Sequence, residues 1–255
     1  MPVIQSQLKK GPNRDLYDEL VKAIQIDFHE HAKLNWGSKL KDGSAVIYFN
    51  DRSRRPKECL AHELLHLKVQ CMGYRRIRIG CSELDRTPMF MRLMTALDNE
   101  LQHHIMYPHF CKMKLDTKAF YAEDDALVEQ ELRRDLAKGY PNVTVLLPDF
   151  LTAIAPGGCM SGSQREEIVQ NFLQMDGGKY AKSLAIIKDA ISRWGRGTCY
   201  DVSQVIREIF LAIEDQRARR TWFGYSEDET GLPKEGFFVD SPFDPNALPP
   251  IDLSS

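Results

Sequence analysis

His62-Glu63-Leu64-Leu65-His66 sets two imidazoles four residues apart around a carboxylate. Imidazole nitrogens are good zinc ligands, and a carboxylate beside a metal-bound water can take its proton. On a helix, positions i and i+4 lie one above the other. His62 and His66 would then reach one tetrahedral ion, while Glu63, turned by about 100°, faces the water. With 7 histidines in 255 residues, chance alone would produce this pattern in only about one such chain in a hundred. A catalytic zinc takes three protein ligands and keeps one position open, so a third donor must come from later in the chain. Glu100, in Asp98-Asn99-Glu100-Leu101-Gln102-His103-His104, is the candidate. A third histidine from His103 or His104 is the alternative, giving a three-histidine site. The expected cofactor is one Zn2+ per chain, held by His62, His66 and Glu100, with Glu63 as general base. An oxyanion formed during acyl transfer needs a further donor. His103, His104 and Tyr107 follow Glu100 within two turns, and His104 is assigned that catalytic role.

These residues act together only if helices present them. Pro56 suits a first helical turn, and the run through Met72 ends at Gly73, a residue suited to a left-handed cap. A second helix opens at Thr87-Pro88, with Phe90, Leu93, Met94, Leu97 and Leu101 at helical spacing, and Pro108 is expected to blunt its end. Before them, Leu16, Leu20, Ile24 and Phe28 repeat every four residues, which predicts an amphipathic helix over 14–36. SAVIYFN at 44–50, rich in β-branched and aromatic types between turn residues, predicts a strand. Arg75 to Ile79 is either a second short strand or a loop. Beyond residue 115 helices are expected at about 117–138, 163–175, 178–194 and 200–220, with VTVLL at 143–147 as a candidate strand. The fold class is therefore α+β and predominantly helical, with a helical C-terminal half. The expected division is 1–115 for the catalytic region, 116–225 for a helical region packing on or extending it, and 226–255 for a Pro-rich extended or disordered tail.

A formal charge of -2, from Lys+Arg 34 against Asp+Glu 36, provides no overall field to attract nucleic acid. No apolar run approaches the length of a membrane span, and the first 20 residues lack the apolar stretch of a secretory signal. The expectation is a cytoplasmic protein with no membrane and no direct nucleic-acid partner. Its six cysteines form no C-x-x-C pair and are expected to be reduced and mostly buried, Cys59 among them. His29-Glu30-His31 lacks the fifth residue of the metal pattern and is expected on the surface. Arg52, Arg54, Arg55 and Lys57 are expected on a solvated loop, Met89, Met91 and Met94 in packing, and Arg217 to Arg220 at the negative end of a helix.

The two motifs together resemble the zincin metallopeptidases of the gluzincin type, in which an H-E-x-x-H helix is followed by a helix that supplies a glutamate ligand. Asn99-Glu100 is similar to the start of the second motif in thermolysin-like members. The metzincin continuation is absent, since Val69 and Met72 stand where glycine and histidine would be required. Two features depart from the gluzincin pattern: a longer interval between the motifs, and His104 where an aspartate often follows the glutamate by four. The resemblance covers about residues 44–107. It implies zinc-dependent hydrolysis of a peptide or protein substrate, with the strand Ala45 to Phe49 beside the cleft offering an edge to an extended substrate. The alternatives are a regulatory or defence-associated protease specific for one protein partner, and a non-catalytic zinc-containing interaction module that holds a partner through its C-terminal helices.

Overall fold

A computed structural model describes residues 2–31, 36–81, 88–121, 127–213, 222–225 and 235–239. Over these residues the chain is α+β and predominantly helical, with two three-stranded sheets. No helix among them is long and apolar enough to cross a membrane. The chain forms two compact units.

The first unit comprises Met1–Tyr74, Ile105–Val128 and Pro156–Met160. Helices α1 (Pro2–Gln7) and α2 (Pro12–Leu20) lead into strands β1 (Gln25–Glu30), β2 (Gly37–Lys41) and β3 (Ser44–Phe49), followed by α3 (Pro56–Cys71). The sheet order is β1-β3-β2, with β1 parallel and β2 antiparallel to β3. The helix expected over 14–36 therefore stops at Leu20, where Ala23 and Ile24 both donate to the Leu20 carbonyl in a turn. A four-residue apolar step fits a period of two as well as one of 3.6. Ile24 and Ile26 are buried at 8% exposure each, on alternate positions, and pairing with β3 decides for strand.

β3 forms as expected, but as the central strand, hydrogen-bonded on both sides. Its backbone groups are already paired. The edge that the sequence assigned to Ala45–Phe49 is therefore not there, and the sheet's edges are β1 and β2. α3 packs against β2 and β3. Its start uses Pro56 in the first turn, and Gly73 just past its end takes φ +99°. Cys59, Leu60, Ala61, Leu64, Leu65, Leu67 and Val69 are all buried, so the helix is covered on most of its circumference. Each such leucine contributes about 1.5–3 kcal/mol through removal of its apolar surface from water. Asn13 of α2 donates to the Lys57 carbonyl at 2.9 Å, and Glu19 pairs with Lys68 at 2.8 Å, which ties α2 along α3.

The second unit comprises Arg75–His104, Glu129–Ala155 and Ser161–Ser255. It contains β4 (Ile77–Cys81), α5 (Val128–Lys138, which starts one residue earlier), α6 (Val143–Ile154), α7 (Gly162–Gly178), α8 (Ala181–Arg196), α9 (Ser203–Ala212), β5 (Trp222–Tyr225) and β6 (Gly236–Phe238). Helix α4 (Pro88–Lys112) runs without interruption from residues of the second unit into residues of the first. Pro108 lies inside it rather than at its end, so the helix runs one turn beyond the expected stop. VTVLL is helical, not a strand: the Asn142 side chain accepts from the Val145 N–H, and Val143, Leu146, Leu147, Phe150 and Leu151 are all buried. A cap and a core-facing surface outweigh the β preference of two valines. Among the described residues, the stretch expected as one helix from 117 holds a 3-10 turn, Thr117–Ala119, before α5.

Sheet order in this unit is β4-β5-β6, all antiparallel. Gly236 is obligatory there, because a Cβ would sit 2.2 Å from the Phe223 carbonyl oxygen. The rest of the expected tail and Arg217 to Arg220 lie outside the described residues. So do the side chains of Met89 and Met91, while Met94 is buried. Among the described residues Cys59, Cys71, Cys111, Cys159 and Cys199 form no disulfide, and of these five only Cys59 is buried. The other four lie at helix ends or in loops, away from either core.

Candidate metal centre

α3 presents His62 and His66 on one stripe, and their Nε2 atoms are 3.0 Å apart. Two nitrogens of a tetrahedral zinc site, each about 2.0–2.1 Å from the ion, stand about 3.3 Å apart. Glu63, on the neighbouring stripe, is buried at 6% exposure. A carboxylate buried to this degree is costly unless it is paired or hydrogen-bonded. His66 is 9% exposed, and His62 is partly buried beside the Phe120 ring, with centroids 5.0 Å apart. His62 and His66 are the nitrogen donors that the first unit brings together, a pair able to take part in holding a metal ion.

On α4, Glu100 and His103 are buried at 8% and 5% exposure, and Glu100 Oε1 lies 3.4 Å from His103 Nδ1. They are one turn apart on the same face, so a carboxylate stands directly behind an imidazole. Glu100 and His103, the expected third donor and its alternative, are thus neighbours on one face of α4. His104 is turned about 100° further round. It packs against Gly195 of α8, where a Cβ would come within 3.1 Å of the His104 Cβ. Its Nε2 is buried with no hydrogen-bond partner among the described residues. Burial holds its pKa down at about 4, with Glu100 opposing the shift and His103 and Arg165 adding to it, so this imidazole is neutral at physiological pH.

The other motifs lie apart from this group. His29 and Glu30 are exposed on β1. Cys59, 1% exposed, has its sulfur 3.5 Å from the Ser53 hydroxyl. Arg55 precedes α3 and donates to Asp116 at 2.5 Å, so one member of the basic run has a partner across the fold. Phe120, beside His62, carries no periodic signal in the sequence and is found only through tertiary contact, and Tyr107, an oxyanion-donor candidate by spacing, packs edge-on against it. No protein-family model, no curated protein and no solved structure matches this chain.

Proposed function

We propose that the protein is a zinc-dependent metallopeptidase. The observation that carries this reading is on α3 alone: two Nε2 atoms 3.0 Å apart, with a buried carboxylate on the adjoining stripe. A bound zinc would lower the pKa of a water towards 7 and polarise the scissile carbonyl. Glu63 accepts the proton that water gives up as its oxygen attacks the carbonyl carbon. The C–N bond then breaks, and Glu63 returns that proton to the leaving amine. His62 and His66 would hold the ion, and Glu100 stays the third donor expected from the sequence. His104 has a neutral ring with an unpartnered nitrogen, and is proposed as donor to the oxyanion.

The test compares wild type with Glu63→Gln for zinc content and for new termini released from a degenerate peptide library. Both proteins should hold about one zinc, and the variant should cleave about 10²–10⁴-fold more slowly. Equal cleavage by the two would remove Glu63 from the reaction. Stoichiometric zinc without cleavage of peptides or of any candidate protein would favour a non-catalytic metal module.

A further inference from the structure

Phe120 is fully buried at the end of the 3-10 turn Thr117–Ala119, and its ring meets four others edge-on. His62 lies at 5.0 Å, Tyr107 at 5.3 Å, Phe110 at 5.1 Å and Tyr121 at 5.0 Å between centroids. The turn that carries it is held from two directions. Asp116 caps it by accepting from the Lys118 N–H, and the same carboxylate accepts from Arg55, the residue immediately before the helix that bears His62. From the other side, the Gly158 N–H donates to the Thr117 carbonyl at 3.1 Å and the Cys159 thiol to the Lys118 carbonyl at 3.6 Å. Gly157 there has φ +77°, and a Cβ on it would lie 2.6 Å from the Tyr107 ring and 3.2 Å from the Phe120 Cβ. The segment Pro156–Met160 therefore lies close behind the aromatic group.

We infer that Phe120 is a positioning residue, whose ring, clamped by the Arg55–Asp116 pair and the Pro156–Met160 strap, fixes the imidazole of His62 with its Nε2 towards His66. Edge-to-face packing has a preferred geometry, so a ring held on several sides restricts the rotation of the ring it touches. A ligand whose rotamer is set in advance binds its metal without losing that freedom on binding, as hydrogen-bonded supporting groups around metal ligands also ensure. The consequence for metal affinity rests on the reading of His62 as a zinc ligand. The orientation of the ring does not.

Phe120→Leu keeps an apolar side chain and removes the ring face. Phe110→Leu, at a fully buried ring that touches Phe120, is the packing control. In metal-free protein, imidazole 15N and ring-proton shifts of His62 should show a single ordered environment in wild type and in Phe110→Leu, and an averaged one in Phe120→Leu. Phe120→Tyr should restore the wild-type pattern. Zinc affinity, measured by competition with a chromophoric chelator, should fall about 10–100-fold in Phe120→Leu and stay within about threefold in Phe110→Leu. A His62 spectrum unchanged by Phe120→Leu, or changed equally by both leucine variants, overturns the inference. Loss of His62 order without zinc binding in any variant, wild type included, would uphold the positioning role and remove the metal reading instead.

Discussion

Under the proposed zinc reading, Glu100 and His103 are alternatives for one role. Spacing on α4 puts both on the same face, and a 3.4 Å separation means that either could be the donor while the other supports it. Supporting carboxylates behind ligating histidines commonly tune metal affinity by about 10–100-fold, whereas loss of a ligand removes most binding. With His103 as third donor, His103→Ala should lose zinc on dialysis and Glu100→Ala should weaken binding by about 10–100-fold. Equilibrium dialysis with metal analysis reads the difference, and the opposite ranking gives the position to Glu100. The sequence named both residues as candidates. What it lacked was the rotamers, which depend on packing across elements that local spacing does not encode.

At the scale of elements, caps and pairing partners overrode periodicity in two places. Asn142 starts α6 by accepting from the Val145 N–H at 3.0 Å, and a strand-like run becomes a helix. Asn142→Ala should lower stability by about 1 kcal/mol, seen as a shift of the denaturant midpoint without a change of slope. A shift near zero would mean that burial of α6 alone selects its conformation. In the other place, Ile24 and Phe28 fit both helical and strand spacing, and the parallel register Gln25↔Ser44 to Glu30↔Phe49 settles which forms. By contrast α3 was legible end to end: Pro56 opens it, Gly73 follows it, and the chain between contains no breaker.

For the whole molecule, the proposed zinc reading links metal and folding, because His62 and His66 share one stripe only when α3 is folded. Zinc at about 100 times its dissociation constant should add about 2.7 kcal/mol. At about 2–4 °C per kcal/mol for a chain of this size, differential scanning calorimetry should show a rise in Tm of about 5–10 °C. That rise should be abolished by a chelator and should shrink as pH falls, because protons compete for the imidazole nitrogens. A Tm indifferent to zinc would count against a folded-state site. The sequence alone determined the placement of His62 and His66 on α3, because a helix converts a four-residue spacing into a shared stripe by its own geometry. It also determined the helical fold class, through local periodicity. Only the tertiary structure decided that β3 is interior to its sheet and that Phe120 stands against His62. Those facts depend on contacts between residues far apart along the chain, set by packing and backbone pairing rather than by the spacing of neighbours.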